Sequence, residues 1–207
     1  LSLVGSEMCI RDRYRTKSTA TPIKTDPSIK HGLSLSDDFE GPEPGLQWTF
    51  WKEYAPQSLS FKKQTLWIDA KGSTPSDARL LLATAEDKNY ETQVEVNVGK
   101  GNTAGLLLYY SEKAYAGVVS DGKNFTIYRN AENSFTLPNK LGKRFLAKIQ
   151  NQGNSVRIAV SKDGKEWTTL VENMDVSQLH HNNYGGFYAL RIGLLSSGKG
   201  SAGFRQF

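Results

Sequence analysis

Cysteine and long apolar runs are what this chain of 207 residues lacks most visibly. The single cysteine, Cys9, cannot form an intrachain disulfide, so the fold must be held together by burial and hydrogen bonding. No run reaches the about 18 apolar residues of a membrane-spanning helix, and we predict no membrane partner. Residues 1–10 are too short a stretch, and too interrupted by Ser, Gly and Glu, to be a secretory signal.

A concentration of positive charge is also missing from the body of the chain. The formal net charge is +5, but residues 1–30 hold six Lys or Arg and three Asp or Glu. The rest of the chain therefore retains 20 of the 26 basic and 18 of the 21 acidic side chains, a net charge of +2. Because a nucleic-acid-binding surface needs basic residues grouped on one face, we predict no nucleic-acid partner.

The first 36 residues differ in composition from the rest of the chain. Residues 1–15 resemble translated adapter sequence that recurs at the ends of unrelated gene fragments, and we predict an artefactual or disordered leader there. Residues 16–36 are rich in Thr, Ser, Lys and Pro without apolar periodicity, which is typical of a linker. Because a linker implies a preceding domain, we expect the natural protein to be longer, with a folded domain over residues 37–207.

Short β segments separated by turn signals follow from residue 37 onward. Residues 90–98 alternate between apolar and polar types, as a half-buried antiparallel strand does. The dipeptides Asp121-Gly122 and Asp163-Gly164 predict tight hairpins, and we interpret the second, which is close to an Asp-box, as purely structural. Further strands are predicted over residues 66–70, 80–84, 104–110, 114–119, 124–129, 145–151, 155–161, 167–171, 186–195 and 202–207.

About a dozen strands, without a cysteine staple or an immunoglobulin Cys and Trp pattern, predict an all-β jelly roll of two antiparallel sheets. Three separated stretches then occur in the same order as in a known family. They are residues 37–56, with Asp-Asp-Phe, Gly-Leu-Gln-Trp and Phe-Trp-Lys-Glu-Tyr; residues 104–110, Ala-Gly-Leu-Leu-Leu-Tyr-Tyr; and residues 180–187, His-His-Asn-Asn-Tyr-Gly-Gly-Phe. They resemble the C-terminal concanavalin A-like β-sandwich of glycoside hydrolase family 43 β-xylosidases and arabinofuranosidases.

The resemblance implies that residues 37–207 form a noncatalytic module of a larger glycosidase that hydrolyses O-glycosyl bonds. In that family an acid and a base carboxylate sit on a five-bladed propeller, which is not encoded here. We therefore assign no catalytic residue and expect the chain itself to be inactive. The implied partners are the catalytic propeller of the same parent chain and a xylo- or arabino-oligosaccharide, as in xylan degradation.

The resemblance also implies that the module lays a loop across the propeller's pocket and contributes an aromatic residue near the substrate. Residues 185–188, Gly-Gly-Phe-Tyr, match that role best. Sugars are bound by flat aromatic rings together with hydrogen-bonding side chains, and loops with that mixture are often functional. A polar turn that only caps the sandwich is the alternative. The candidates for sugar contact or for shaping the pocket are His180, His181, Asn183, Tyr184, Phe187, Tyr188 and Trp51.

Other aromatic and metal-binding residue types receive a structural interpretation. Trp67 and Trp167 follow apolar alternation within strands and are predicted to lie in the core. His180 and His181, adjacent in an extended segment, point to opposite faces and do not predict a metal site. Calcium occurs in related sandwiches, so Asp37 and Asp38 are weak calcium candidates, although the last strand lacks a supporting Asp. No other cofactor is predicted.

Two other functions remain open from the sequence. One is a free-standing carbohydrate-binding module that holds xylan or glucan through exposed aromatic residues, and the other is an adhesion or structural sandwich. The sequence does not decide the compartment; we expect a bacterial source, with cytoplasmic and exported locations both open.

Overall fold

The computed structural model of the protein describes residues 34–85, 87–131 and 133–207. The predictions for residues 1–15 and for most of the linker lie outside these described residues. The described part contains fourteen strands, a 3₁₀ turn over Pro56–Ser58 and one short helix, α1, over His181–Tyr184. The strands are β1 (Thr49–Phe50), β2 (Leu59–Phe61), β3 (Leu66–Asp69), β4 (Arg79–Ala83), β5 (Asn89–Asn97), β6 (Asn102–Ser111), β7 (Ala114–Ser120), β8 (Asn124–Asn130), β9 (Asn133–Pro138), β10 (Arg144–Gln152), β11 (Ser155–Ser161), β12 (Trp167–Asp175), β13 (Arg191–Gly198) and β14 (Ser201–Arg205).

The strands form two sheets of seven, and every pairing is antiparallel. The first sheet has the order β1-β4-β13-β6-β7-β8-β9, and the second has the order β12-β11-β10-β5-β14-β3-β2. In the first sheet β13 lies between β4 and β6, and in the second β14 lies between β5 and β3. Late strands thus complete both sheets. The predicted all-β sandwich of two antiparallel sheets is confirmed.

Alternation along the strands builds the core between the two sheets. In β5 the side chains of Val94 and Val96 are fully buried, whereas Glu91 and Glu95 lie on the outer face. Phe125 of the first sheet and Phe145 of the second meet edge to face, with ring centroids 5.0 Å apart. The core is therefore made of inward-facing residues from both layers.

The two Asp-Gly turns have the structural role that the sequence predicts. Between β7 and β8, the Asp121 carboxylate accepts the backbone N–H groups of Lys123 at 2.8 Å and Asn124 at 2.7 Å. Gly122 there has a φ of +88°, which favours glycine. Between β11 and β12, Asp163 accepts the N–H of Lys165 at 2.9 Å. Both carboxylates hold hairpins.

The opening motif of the predicted domain packs against the far end of the chain. Asp37 and Phe207 exchange two backbone hydrogen bonds of 2.8 and 3.0 Å. The indole N–H of Trp48 donates to the Asp37 carboxylate at 2.8 Å, and its ring lies 4.7 Å from the Phe207 ring. Through these contacts the opening motif joins the beginning of the domain to its last residue.

The predicted strand over residues 186–195 begins too early. Gly186 has a φ of +68°, a conformation that strands do not contain, and β13 starts at Arg191, where pairing with β6 begins opposite Tyr109. The last predicted strand, 202–207, ends at Arg205 for a related reason, since Gln206 has a φ of +53°. The residues before β13 therefore form a loop.

The prediction that Trp67 and Trp167 lie in the core is wrong. Leu66 and Ile68 point inward from β3, so Trp67 between them lies half-buried on the outer face of the second sheet. Trp167 is also half-buried, and the ammonium nitrogen of Lys148 lies 4.3 Å from its ring centroid. The position of a residue in the inward–outward alternation of its strand decides which face of the sheet it occupies, even when the residue is large and apolar.

A second apolar cluster lies on the opposite face of the first sheet. In β6, Leu106 and Leu108 face the main core, while Leu107 and Tyr109 belong to this second cluster. Trp51 packs against it from the segment after β1. The apolar run of β6 is thus explained by burial on both faces of the strand. The functional candidate Trp51 packs on the face that carries the second cluster.

Candidate functional site

The segment 178–190, called the 178–190 loop below, carries most of the candidate residues. His180 lies at the N-cap of α1, where its Nδ1 atom accepts the N–H of Asn182 at 3.2 Å. The extended conformation predicted for both histidines holds for His180 but is wrong for His181, which begins the helical turn. Asn183 donates to the backbone oxygen of Gln178 at 3.0 Å and to its side-chain oxygen at 2.6 Å. Asn183 thus closes the loop on itself.

Tyr110 anchors the loop to the sandwich. Its hydroxyl donates toward the carbonyl oxygens of Gly185 at 2.8 Å and Gly186 at 2.9 Å. Tyr110 is buried at the end of β6, and Tyr184 packs its half-buried ring against the main core. Because both ends of the helical turn are tied down, the residues that follow project from a fixed base.

Phe187 is the most exposed large apolar residue of the loop. Its side chain is 93% exposed, and one face of its ring stacks on His181 at 5.3 Å with an angle of 29° between the planes. An aromatic ring this exposed loses the burial that normally stabilises it. It is therefore placed to contact something other than its own domain.

Tyr188 and Trp51, far apart in sequence, meet beside the loop. Their ring centroids are 5.1 Å apart in an edge-to-face arrangement, and Trp51 meets Tyr109 in the same way at 5.3 Å. Tyr188 also lies 5.8 Å from Tyr110. The structure thus brings Trp51 and Tyr188 into one aromatic cluster, whereas Phe187 stacks on His181.

A guanidinium group completes this cluster. Arg191, which opens β13 opposite Tyr109, lies 4.8 Å from the Trp51 ring centroid and 5.9 Å from that of Tyr188. Its Nε and Nη2 atoms are buried and have no hydrogen-bond partner in the described structure. Burial lowers the pKa of Arg191, and nearby Tyr109 and Tyr188 oppose this effect. Each unpartnered buried group of this kind costs about 1–3 kcal/mol.

An ion pair between Lys52 and Glu112 lies at the edge of the same cluster. Burial opposes ionisation of Glu112 most strongly, but the hydrogen bond and charge of Lys52, together with a backbone hydrogen bond, hold the pKa of this carboxyl below its usual value. Burial raises the pKa of Tyr109, so its hydroxyl stays protonated. The cluster therefore contains a neutral phenol, a paired acid and an unpaired guanidinium.

A cavity of about 490 Å³ lies between the 178–190 loop and the neighbouring ends of β5, β6 and β10. We call it the end cavity. Tyr90 and Asn151 line it from the second sheet, and the Tyr90 hydroxyl and the Asn151 side-chain oxygen are buried without a hydrogen-bond partner among the described residues. On the loop side it is lined by His180, His181 and Tyr188. Three of the seven candidates thus face one cavity.

The carboxylates proposed for calcium are already engaged. Asp37 accepts the N–H of Phe39 at 2.8 Å, the side-chain amide of Gln47 at 2.9 Å and the indole of Trp48, and Asp38 accepts the N–H of Glu40 at 3.1 Å. Across residues 34–207, apart from the two that are not described, no three His, Cys, Asp or Glu side chains are grouped to hold a metal ion. Asp37 and Asp38 thus act as hydrogen-bond acceptors within the domain, and calcium binding by them stays a prediction.

The family is decided by the match over the folded region. The family model described as the β-xylosidase C-terminal concanavalin A-like domain matches residues 36–207. The chain belongs to this family. The predicted family and the concanavalin A-like fold are thereby confirmed, and the described part of this GH43 C-terminal domain contains no helix with the length and apolar character of a membrane span.

Several solved structures similar to this GH43 C-terminal domain belong to larger proteins. Bacteroides ovatus Xyloglucan PUL GH43B is 16% identical with a TM-score of 0.70, and the match covers 88% of this chain and 40% of that one. The GH43 protein BlXynB from Bacillus licheniformis is 19% identical with a TM-score of 0.71, and the match covers 86% of this chain and 39% of that one. A xylan β-1,4-xylosidase from Bacillus halodurans is 14% identical with a TM-score of 0.69, and the match covers 87% of this chain and 40% of that one. The chain thus spans about two fifths of the length of each protein. No curated protein matches it.

Sequence reasoning about the GH43 C-terminal domain missed four residues that build the site. Arg191 and Tyr110 border the loop in space, and Tyr90 and Asn151 line the end cavity. Tyr90 could have been predicted from the sequence, because a tyrosine at the start of an alternating strand places its hydroxyl near the edge of the core. The other three become visible only when the register of the sheets is known.

Proposed function

We propose that this chain is the noncatalytic accessory β-sandwich of a family 43 glycoside hydrolase of the β-xylosidase or α-arabinofuranosidase type. In this proposal it docks on a catalytic propeller of the same parent protein and helps to shape the substrate pocket of that propeller. The family match over residues 36–207 supports the accessory role. The length of the matched GH43 proteins, more than twice that of this chain's aligned part, leaves room for a catalytic domain.

The observation that carries the proposal is Phe187. It is an exposed aromatic ring on a loop that Tyr110 and Asn183 fix from two sides. A ring held in one orientation loses little conformational entropy when a partner surface covers it. The stack of His181 against Phe187 further restricts that orientation. We infer that Phe187 enters the rim of the propeller's pocket and borders the substrate.

The docking surface extends beyond this loop. Tyr188 is 49% exposed and Tyr54 is 79% exposed, and both contact the segment around Trp51: Tyr188 meets Trp51, and Tyr54 meets Phe50 at 5.4 Å. Exposed apolar side chains in one region, ringed by charges such as the Lys52 and Glu112 pair, are typical of a protein–protein contact. The free-standing carbohydrate-binding module is less favoured, because the matched family is defined by its place in β-xylosidases.

Hydrolysis assays on the isolated chain test the noncatalytic part of the proposal. We expect the purified chain to release no nitrophenol from 4-nitrophenyl β-xyloside or α-arabinofuranoside, because in this proposal the acid and base carboxylates belong to the catalytic propeller. The parent protein, expressed from its complete reading frame, should hydrolyse at least one of the two. Turnover by the isolated chain would contradict the proposal.

A further inference from the structure

We propose that five loops at one end of the sandwich form a docking surface for an anionic phospholipid membrane. These loops, called the lysine platform below, are residues 98–101, 121–123, 139–143, 162–166 and 198–200. Such a contact goes beyond the accessory role and requires no propeller. It also requires no membrane-spanning segment, and the prediction of no membrane partner was based only on the absence of an apolar run long enough to span.

The direction of the strands places the platform opposite the 178–190 loop. β13 begins at Arg191, directly after that loop, and ends at Gly198, within the platform. Its eight residues cover about 25 Å. The turns from β5 to β6, β7 to β8, β9 to β10 and β11 to β12 lie at the same end as Gly198, because all pairings are antiparallel. A partner docked on the 178–190 loop would therefore approach from the other end.

Hydrogen bonds join the five loops into one surface. The 139–143 loop is bonded to the 121–123 turn and to the 98–101 loop by backbone hydrogen bonds of 2.8 Å each. The 198–200 turn is bonded to the 98–101 loop by a backbone hydrogen bond of 2.9 Å. The ammonium group of Lys162 donates to a carbonyl oxygen of the 139–143 loop at 2.9 Å, which attaches the fifth loop. Because the loops support one another, the platform needs little ordering when a partner covers it.

Lysine is concentrated in the platform. Seven of its 20 residues are lysines, against 13 Lys or Arg among the other 154 residues of 34–207. All seven lysines are exposed, and none forms an ion pair with a described residue. With three acidic residues the platform has a formal charge of +4, whereas the rest of residues 34–207, with 15 acidic residues, has a charge of −2. The neighbouring segment 70–78 adds no net charge, because Lys71 and Asp77 balance.

The composition and shape of the platform favour a flat anionic surface over a linear polymer. The platform contains no aromatic residue and no arginine, so it offers no ring on which a base or a sugar could stack. No platform residue lines the end cavity or either of two other cavities of the domain, so the lysines do not border a groove that would hold a polymer chain. Clusters of four to eight basic side chains suit the headgroups of anionic lipids. Without an exposed large apolar side chain on the platform, the contact is electrostatic and depends on salt.

Sedimentation of the full chain with lipid vesicles tests the proposal. We expect binding to phosphatidylcholine vesicles with about 30% phosphatidylglycerol in about 25 mM salt, and its loss in about 500 mM salt. A combined variant with Lys123→Gln, Lys140→Gln, Lys143→Gln and Lys199→Gln should bind about 100-fold more weakly or worse, because each lysine near such a surface contributes about fivefold. Its thermal midpoint should stay within about 2 °C, because these exposed side chains form no ion pair with a described residue.

The matched control removes four exposed lysines from the other end of the sandwich, by Lys62→Gln, Lys63→Gln, Lys88→Gln and Lys113→Gln. It has the same net charge and the same residues 1–33 as the platform variant, and it should weaken binding by less than about fivefold. Equal weakening by the two variants would overturn the proposal, as would no binding to the anionic vesicles or equal binding to vesicles of phosphatidylcholine alone. Tighter binding of polygalacturonate or duplex DNA, at an equal concentration of anionic groups, would overturn the assignment to a membrane.

Discussion

Arg191 lowers the stability of the isolated domain at a surface that we propose to bind a partner. Its guanidinium is half-buried between Trp51 and Tyr188, and two of its nitrogens have no acceptor among the described residues. Stacking on the rings returns about 0.5–2 kcal/mol, while the unpartnered donors cost about as much or more. The arrangement is the kind of local compromise that is found where a surface awaits a partner.

Replacing this charge should therefore stabilise the isolated chain. We expect Arg191→Met, which keeps the apolar stem, to raise the free energy of unfolding by about 1 kcal/mol, measured as a higher urea midpoint at an unchanged m value. Arg157→Met is the control: Arg157 is exposed and bonded to Glu172 and Thr169, so its loss should be neutral or mildly destabilising. A loss of 1 kcal/mol or more in Arg191→Met would mean that ring stacking dominates.

Predictions from residue types were overturned for some side chains and stay open for others. Phe187 and Tyr188 were chosen because packing does not require their loop composition; both are exposed, and their role in sugar contact stays a prediction. Trp67 and Trp167 were misplaced because a large apolar residue suggests the core, although its neighbours fixed the opposite phase. Arg191 carried no signal, because its environment is made by Trp51 from 140 positions earlier in the chain.

At the scale of elements, the 178–190 loop depends on one hydroxyl. Tyr110 and its neighbour Tyr109 form a natural pair for comparison, because they occupy opposite faces of β6 and both are buried. The Tyr110 hydroxyl bonds two carbonyls of the loop, whereas the Tyr109 hydroxyl has no hydrogen-bond partner among the described residues. The two buried tyrosines therefore allow a comparison between a hydroxyl with partners and a hydroxyl without a partner.

Removing each hydroxyl should have opposite consequences. Tyr110→Phe should lower the free energy of unfolding by about 1 kcal/mol and speed amide exchange in residues 181–190, because two carbonyls lose their donor. Tyr109→Phe should be neutral or stabilising, with exchange in the loop unchanged. The measurements are urea unfolding and hydrogen–deuterium exchange. Equal effects of the two substitutions would show that the loop is held by its other contacts.

The limits of the elements were harder to predict than their existence. The alternation of apolar and polar residues predicted β5, and the Asp-Gly dipeptides predicted the β7–β8 and β11–β12 hairpins. Both patterns depend only on residues that are neighbours in the sequence. The start of β13 could not be read from residues 186–195, since apolar residues there continue the pattern across the loop. In the structure Gly186 has a positive φ, and pairing with β6 begins only at Arg191.

At the scale of the whole molecule, residues 37–207 form one sandwich whose two ends meet. Asp37 and Phe207 join the two ends of residues 37–207, and the two sheets bury a common core. The fold class was predictable, because spacing and composition allow few other architectures. The resemblance of three separated motifs identified the family. The end cavity was not predictable, because it is formed where β5, β6, β10 and the 178–190 loop meet.

The most direct test of the central claim is the kcat/KM of the parent protein with Phe187→Ala, compared with Phe135→Ala. Phe135 is also an exposed phenylalanine, at 46%, but it lies on β9 at the other edge of the first sheet. If Phe187 borders the substrate, its truncation should lower kcat/KM by about tenfold or more, and Phe135→Ala should change it by less than about twofold. A Phe187→Ala protein that is as active as the Phe135→Ala protein would contradict the account.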